Sequence, residues 1–312
     1  MPDPISWTSK IILCKIESSY GVDAAPTGAD NAMLLTNVEL RPMEGEEVSR
    51  DLERPYFGAQ PMIPTGLRAT LTGSIELAGS GAAGTAPAWG PLARACGLAE
   101  VVTPATDVVY TPISDAIESV TIHFWVGGTR HVLKGTRGTG VIELNAQGLP
   151  VLKITMTGLF ATPTEVARAT VDLSDFMPPV LATTTNTPVF TLNAVSLVLR
   201  SLMFDLGNQV EPRLLIGRED IRITDRAEKL SAKVEAVPLT TFDPYTLAQA
   251  QTQFAAALTH GTVAGSIVSL AAPKCQMKRL TGYENNQNVA EWPLEMVPLP
   301  DAGNDQFTLT LT

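Results

Sequence analysis

The chain has 312 residues, of which 45% are hydrophobic and 17% charged, so it can bury a core in one large or two medium domains. Its net charge of -10 argues against a surface that grips nucleic acid, because such a surface needs clustered lysine and arginine to displace counterions. It has neither an apolar run of about 18 residues nor a basic segment followed by an apolar one at its start, so we expect no membrane span and no secretory signal.

Cysteine and histidine are sparse and far apart in the chain. Three of each occur, and no CxxC pair is present. An odd, sparse set of cysteines is typical of buried thiols in a reducing compartment, and the histidines lack the spacing of metal ligands. We therefore predict no metal site from Cys14, Cys96, Cys275, His123, His131 and His260.

A long, turn-rich arm precedes the first regular core segment. Residues 15–35, "KIESSYGVDAAPTGADNAMLL", begin like a strand, break into glycine, proline, aspartate and asparagine, and end apolar. The arm is too polar to nucleate a core, yet Tyr20 and Pro26 make it too specific for a tag. We expect it to dock onto another subunit.

Two long polar segments occupy corresponding places in the two halves of the chain. They are "MEGEEVSRDLERPYFGAQPMIPTG" (43–66) and "DLGNQVEPRLLIGREDI" (205–221), and we predict both as loops. Apolar residues on such a loop favour docking onto a neighbouring subunit. In the first loop these are Tyr56, Phe57, Met62 and Ile63. The acids around it, Glu39, Glu44, Glu46, Glu47, Asp51 and Glu53, are typical of a solvated face.

Most of the regular segments alternate apolar and polar residues with a period of two. "LRATLTGSIEL" and "LKITMTGLF" place leucine, isoleucine and methionine on one face and threonine, lysine and arginine on the other. "SVTIHFWV" places Val120, Ile122, Phe124 and Val126 inward. These patterns predict half-buried antiparallel strands and a mainly β fold.

The segment "GSGAAG" (79–84) matches a dinucleotide-binding fingerprint letter for letter. The strand before it alternates, however, whereas a parallel Rossmann strand should be almost entirely apolar. We interpret it as a small-residue turn or interface loop. No GxSxG elbow or convincing carboxylate pair occurs either, so we predict no catalytic and no cofactor-binding residue.

Two helices are predicted. "TAPAWGPLARACGL" has Thr85 as a possible N-cap and Gly97 at its end. "TTFDPYTLAQAQTQFAAALTHG" has Asp243 as N-cap, Pro244 at the first helical position and Gly261 beyond the end. Its apolar stripe would be Leu247, Ala250, Phe254 and Leu258.

A proline- and threonine-rich stretch, "DFMPPVLATTTNTP" (175–188), breaks the regular patterns. The order strand, loop, strand, helix, strands occurs on both sides of it. We therefore interpret the chain as a duplicated domain, with units at 1–175 and 189–312 joined by a linker at 176–188.

Several segments together resemble the major tail tube protein of long non-contractile-tailed bacteriophages, the siphophage tail tube family. They include the arm, "ELAGSGAAGTAPAWGPLARACGL", "ESVTIHFWVGGTRHVLKGTRGT", "GLPVLKITMTGLFATPT" and, in the second half, "FDLGNQVEPRLLIGREDIRITDR", "THGTVAGSIVSLAAPKCQM" and "LPDAGNDQFTLTLT". The motifs are structural and are diagnostic only as a set.

The resemblance implies tandem tail-tube-type β-sandwich or barrel domains, each with one flanking helix. Such proteins form six-fold rings whose inner sheets join into one barrel, and stacked rings make the conduit through which the genome leaves the virion. With two such domains, a trimeric ring with pseudo-six-fold symmetry is favoured, and with one domain the ring would hold six chains. Implied partners are a tape measure protein, a tail terminator and a distal tail protein, while DNA transits the lumen without specific binding. The implied location is the virion tail, after the host cytoplasm.

Within that frame we predict three sets of contact residues. The loop would contact the next ring through Glu44, Glu46, Glu47, Arg50, Arg54, Tyr56, Phe57 and Met62. The arm would do so through Tyr20, Asp23 and Pro26, and acids that repel DNA in the lumen would be Glu39, Glu46, Glu47 and Glu76. The alternatives are another virion β-protein, such as a tail terminator or decoration protein, and an enzyme or carbohydrate-binding sandwich.

Overall fold

The structure is a computed structural model that describes residues 4–312, and its fold is mainly antiparallel β with two short helices. The predicted mainly β class is confirmed. The helices are α1 Gly90–Ala95 and α2 Pro244–Gln249. The strands are β1 Lys10–Ile16, β2 Thr36–Ser49, β3 Met62–Glu76, β4 Leu98–Thr103, β5 Asp107–Pro112, β6 Val120–Val126, β7 Thr129–Asn145, β8 Val151–Leu159, β9 Thr164–Glu165, β10 Val189–Leu192, β11 Val195–Ser196, β12 Leu199–Asp205, β13 Asn208–Leu215, β14 Arg218–Arg226, β15 Lys229–Glu235, β16 Gln253–His260, β17 Val268–Met277, β18 Glu284–Asn286, β19 Val289–Pro298 and β20 Thr308–Leu311.

One long sheet runs through both halves of the chain, in the order β2, β3, β8, β7, β12, β15, β19. Strand β7 joins the halves, because its last residues pair with β8 on one side and β12 on the other. A row of paired, buried residues crosses the junction and shows that the two halves share one apolar face. The row is Ile75, Leu152, Ile142, Phe204, Leu230 and Met296.

The two faces of this sheet differ as the period-two pattern predicts. The apolar face belongs to a core cluster that includes Trp89, Phe124 and Trp292 and extends through both halves. The opposite face carries threonine and charged residues, for example Thr155 and Lys153, which alternate with buried neighbours on β8. The alternation predicted for β3 and β8 is therefore confirmed by their burial.

The second layer of the first half is formed by β1, β6 and the beginning of β7, and here burial departs from the prediction. Strand β6 was expected to be half-buried, but Thr121, His123 and Trp125 are buried as well as its apolar face. The reason is a second small cluster, in which Trp125 packs with Ile11 and Leu13 of β1 beneath the returning chain. The arm and the returning chain cover the polar face of β6, which the alternating pattern alone predicts to be exposed.

Both helices are shorter than predicted. Helix α1 begins after Trp89, not after Thr85. Its first residue is Gly90, and a larger residue would not fit there because its Cβ would lie 2.6 Å from a carboxylate oxygen of Glu100. In α2 the Asp243 cap and Pro244 start are confirmed, since the Asp243 carboxylate accepts from two backbone amides at 3.0 Å.

The second part of the predicted helix is wrong, because residues 253–260 form strand β16. Gln251 has a positive φ of 54°, which ends the helical path. Phe254 and Leu258 are then buried as alternating strand residues. A spacing of four residues satisfies both a helical stripe and a strand face, so the stripe alone was ambiguous.

Both predicted polar loops are β-hairpins. In the first, β2 runs to Ser49 and β3 begins at Met62, so the irregular part is only residues 50–61. In the second, β13 and β14 pair along their whole length as a separate two-stranded sheet. These polar stretches can form paired strands because both faces of a projecting hairpin contact water, so neither face has to be apolar.

The predicted linker (176–188) and the glycine-rich segment both lie against the body of the protein. Ala182 exchanges backbone hydrogen bonds with the Gln147–Gly148 turn at 2.9 Å, and His260 contacts the carbonyl of Val180 at 3.2 Å. The 79–84 segment is a turn whose Gly81 amide donates to Gly265 at 2.9 Å. Helix α1 begins only at Gly90, so the 79–84 segment is not part of a helix N-terminus, and its hydrogen bond links loops from the two halves of the chain.

Candidate assembly surfaces

The β2–β3 hairpin carries most of the predicted contact residues, and one edge of it is free. Strand β2 pairs only with β3 within the described residues, so its outer edge leaves backbone donors and acceptors available. Pro42 lies on this edge strand, where its missing N–H is tolerated. Predicted contact residues Glu46 and Glu47 are exposed here.

The tip of this hairpin exposes apolar side chains together with charges of both signs, since Asp51 and Glu53 are exposed there as well as two arginines. Phe57 is fully exposed and Tyr56 is 66% exposed, with Met62 at the start of the returning strand also exposed. Arg50 and Arg54 lie exposed in the same turn. Two aromatic rings in water on a projecting turn are typical of a surface that another molecule covers.

Glu44 differs from its predicted neighbours because it stabilises the hairpin itself. Its carboxylate accepts from the Thr70 hydroxyl at 2.7 Å and lies 3.6 Å from the guanidinium of Arg41 and 3.8 Å from that of Arg68. These side chains link β2 to β3 beside the irregular pairing between Arg41 and Glu44. Glu44 therefore has an internal role that the sequence did not indicate.

The second hairpin, β13–β14, ends in an equally exposed tip. Leu215 pairs with Arg218, and the turn residues are Ile216 and Gly217. Ile216 is fully exposed, and Gly217 has a positive φ of 89° that favours glycine. Each half of the chain thus projects one hairpin with an apolar tip.

The base of the second hairpin is fixed to the first half by buried polar contacts. Arg226 donates to the side chain of Asn208 and to the carbonyl of Gly97, both at 2.8 Å. Arg137 donates to the carbonyl of Ile221 at 2.9 Å, and burial lowers the pKa of its guanidinium. These contacts hold β13–β14 in one orientation relative to the main sheet.

Tyr20, a predicted arm contact, takes part in the same fixation. Its hydroxyl donates to the carbonyl of Gly135 at 3.0 Å and accepts from the amide of Ile221 at 2.5 Å. The Tyr20 ring can lie this close only because residue 135 is glycine, since a Cβ at that position would lie 2.6 Å from the ring and clash with it. Burial raises the pKa of Tyr20, so the hydroxyl keeps its proton for donation.

The rest of the arm is also folded onto its own chain. Pro26 is buried, and the carboxylate of Asp23 lies 2.9 Å from Nε2 of His123. Burial lowers the pKa of His123, and the neighbouring Asp23 partly opposes this. The three predicted arm residues therefore have partners inside the protomer, and their role between rings stays a prediction.

Glu17 organises the start of the arm and was missed by the sequence reasoning. Its buried carboxylate accepts four hydrogen bonds, within 2.6–2.8 Å. The donors are the hydroxyls of Ser119 and Thr121 and the amides of Gly21 and Gly135. Nothing local in the sequence indicates this, since three donors lie more than a hundred positions away.

The acids predicted for a lumen have different environments. Glu39 is exposed on β2 and bonded to Arg41 at 3.1 Å, whereas Glu76 is half-buried at the end of β3. Other acids on the polar face are matched by bases, as Glu143 is by Lys153 at 2.7 Å. The polar face of the sheet is therefore mixed in charge rather than uniformly acidic.

A second free edge lies at the far end of the long sheet and was not predicted. After Met277 the Lys278 amide still donates to the Glu295 carbonyl at 2.8 Å, residues 279–283 form no strand, and within residues 4–312 β18 pairs only with β19. Tyr283 is 60% exposed there, and its ring lies 6.3 Å from that of buried Trp292. At this end β17 continues the pairing of β19 into β16 and β20, but the outer side of β18 is free within the described residues, as is the outer side of β2 at the other end.

Two of the cavities differ in lining, and one of about 230 Å³ is lined mainly by polar residues such as Ser114, Asp225 and Asn304. An apolar cavity of about 200 Å³ is lined by Trp89, Phe176 and Met177, with Glu76 at its side. Residues 4–312 contain no cluster of three metal-ligating side chains. Burial raises the pKa of the Cys96 and Cys275 thiols to about 12, which disfavours the nucleophilic thiolate.

The fold and its surfaces define a mainly β structural protein with two free sheet edges and exposed hairpin tips. A family model described as phage tail tube protein matches residues 8–305, so the chain belongs to the phage tail tube family. It is a structural protein of the virion tail whose family self-assembles into a tube. No curated protein matches the chain. None of the helices in residues 4–312 is long and apolar enough to cross a membrane.

Proposed function

We propose that this protein polymerises into stacked rings that form the phage tail tube and serve as the conduit for genome ejection. The observation that carries the proposal is the long sheet, in which the outer side of β2 at one end and the outer side of β18 at the other are unpaired within the described residues. An unpaired edge in solution is a liability, and pairing the two edges of successive copies removes it by closing the sheet into a barrel. Membership in the tail tube family supports the same arrangement.

We further propose that the chain holds two tail-tube-type units, at 1–175 and 189–312, so that three copies close a ring with pseudo-six-fold symmetry. The pairing order supports this, since β2, β3, β8 and β7 are followed along the sheet by β12, β15 and β19. Each half also projects one hairpin and contains one short helix. A ring of six chains would contradict the duplication.

The hairpin tips are the proposed contacts between rings. The side chains of Phe57 and Ile216 are fully exposed at the tips of the two hairpins, so they are not packed within the protomer. Burying such a side chain against the next ring contributes about 2 kcal/mol per site, repeated around the ring. The exposed surface of the arm near Asp23 would extend this contact.

The polar face of the long sheet is the face we assign to the lumen. Its threonines and its matched acids and bases offer no basic stripe on which phosphate would be held. DNA would then slide without specific binding. A tape measure protein, a tail terminator and a distal tail protein are the further partners that a tail tube requires.

Negative-stain microscopy of the purified chain tests the proposal directly. Long hollow tubes are the expected result, with three-fold symmetry in averaged end views. Isolated closed rings would favour a tail terminator, and monomers would favour a decoration protein. Either result would overturn tube formation.

A further inference from the structure

The junction between the two halves of one chain predicts the residue-by-residue junction between two chains. This inference rests on the proposed function, because it concerns how copies meet in a ring. Inside the chain, Ile142 of β7 pairs with Phe204 of β12, and Glu143 pairs with Met203. This is a complete strand-to-strand junction between the end of one unit and the start of the next.

The strands on each side of that junction have counterparts at the two free edges. On the leading side, Leu40 occupies the place of Phe204, because Leu40 pairs with Leu71 as Phe204 pairs with Leu230. The correspondence extends one strand further. Leu71 pairs with Met156 in the first half, as Leu230 pairs with Met296 in the second.

On the trailing side, Tyr283 occupies the place of Ile142. Ile142 pairs with Leu152, which pairs with Ile75. In the second half Trp292 pairs with Val234, and the β18–β19 register brings Tyr283 opposite Trp292. Position and burial agree, since Leu152 and Trp292 both lie in the core.

From these two correspondences we propose that Tyr283 of one copy pairs with Leu40 of the next, in an antiparallel ladder that also places Glu284 opposite Glu39. The pairing would give a strand partner to residues 279–283, which lie outside the strands of the protomer. Strand β2 of the next copy would gain the backbone hydrogen-bond partners that its outer edge lacks in the protomer.

Two features independent of the register fit this junction. Tyr283 is an exposed aromatic residue, and Leu40 borders an open apolar hollow of about 310 Å³ that is also lined by Trp7, Pro42 and Phe124. A tyrosine ring arriving beside Leu40 would cover that hollow. In the internal junction the same place is filled by Ile142 beside Phe204, and both are buried.

Charge is complementary along the remainder of the two edges. Strand β2 carries four acids and one base, whereas residues 278–286 carry two bases and one acid. In an antiparallel ladder the chain before Tyr283 runs beside the chain after Leu40, so Arg279 approaches the acids at 44–47. The single like-charged pair, Glu39 with Glu284, is moderated because Arg41 and Lys233 already bond those carboxylates at 3.1 and 2.7 Å.

Disulfide cross-linking of assembled protein tests the register. In Glu39→Cys with Glu284→Cys, the two thiols of neighbouring copies would lie directly opposite, within the Cβ separation that a disulfide needs. Within one chain they lie seven strand spacings apart along the sheet, roughly 34 Å, so a link reports on two copies. The natural cysteines are buried and contribute little background.

The matched control is Glu39→Cys with Asn286→Cys, which keeps the face but shifts the partner by about 6.6 Å along the strand. We expect the in-register pair to form covalent closed rings at least about ten-fold more efficiently than the shifted pair, because the latter exceeds disulfide geometry. Tubes in which the shifted pair links as well, or neither pair links, would overturn the register but leave tube formation intact. Absence of tubes from the unmodified chain would overturn the proposed function and this junction with it.

Discussion

Tyr20 and Ile221 are 201 positions apart, and the Tyr20 hydroxyl accepts a hydrogen bond from the Ile221 amide at 2.5 Å. The same hydroxyl donates to Gly135, and the Arg137 guanidinium lies 5.0 Å from the centre of the ring. One phenol thus joins the arm, the long strand β7 and the base of the second hairpin. The projecting hairpin is oriented by a residue from the other half of the chain.

Tyr20→Phe removes that hydroxyl and leaves the Ile221 amide without its partner. We expect a loss of about 1–2 kcal/mol in the free energy of unfolding, since a buried donor loses its acceptor. Hydrogen exchange at Ile221 should accelerate more than exchange in β8. Tyr56→Phe is the control, because Tyr56 is exposed on the first hairpin tip and should leave both measurements unchanged. Equal exchange at Ile221 in the two variants would contradict this role for the hydroxyl.

Glu17→Gln should be more damaging than its small change in shape suggests. The carboxylate accepts four hydrogen bonds, whereas an amide offers one oxygen and turns its NH₂ group toward donors. We expect unfolding by urea to show a loss of about 3 kcal/mol. Glu47→Gln, at an exposed position of β2, should unfold like the natural protein. If the two variants unfold at the same urea concentration, Glu17 does not organise the arm.

Phe57→Ser and Ile216→Ser separate folding from assembly. Both side chains are fully exposed in the protomer, so the free energy of unfolding should change by less than about 0.5 kcal/mol. The lowest concentration at which tubes form should rise severalfold, because each ring loses apolar burial at every copy. Val263→Ser alters an apolar residue that is 67% exposed outside both tips and should assemble normally. Unchanged tube formation by both tip variants would remove the tips from the ring contact.

Local patterning predicted the parts of the fold that depend on local chemistry. Alternation identified β3 and β8, and the Asp243–Pro244 pair identified the start of α2. It was wrong at β16, where Phe254 and Leu258 fit both periods and only the positive φ at Gln251 decides between them. Burial of the polar face of β6 also escaped it, because the covering chain comes from distant residues.

The candidate surfaces were predictable only in part, for the same reason. Apolar residues in a polar stretch revealed the Phe57 tip, since that signal is local. The Glu17 cluster and the free edge at residues 278–286 depend on pairings between distant strands, which one sequence does not contain. The assignment of the arm to contacts between rings remains a prediction, and its residues also serve their own protomer.

Glu76→Lys tests the assignment of the polar face to the lumen. Glu76 stands at the end of β3 without an ion pair among the described residues, so the substitution adds positive charge at every copy along the tube. We expect assembly to proceed and DNA release from particles to slow severalfold, because phosphate would be held at the wall. Asp115→Lys makes the same change in charge at an exposed loop before β6 and should not slow release. Identical release kinetics for the two variants would place Glu76 outside the DNA path.

Stability should fall on mild acidification because buried histidines resist protonation. Burial lowers the pKa of His123 and His260, so each binds a proton more readily in the unfolded chain. The unfolded state therefore gains protons first as pH drops below about 6.5, and each histidine costs up to about 1.4 kcal/mol per pH unit between its unfolded and folded pKa. The lowered pKa of Asp220 acts only at more acidic pH, near and below about 4, so it does not contribute in this window.

His260→Gln should flatten the decline in unfolding free energy between pH 6.5 and 5, as measured by urea denaturation at each pH. It retains a donor for the Val180 carbonyl and an acceptor for Thr187, so the comparison isolates the charge from the hydrogen bonds. A slope as steep as that of the natural protein would show that His260 is not among the groups that titrate on unfolding.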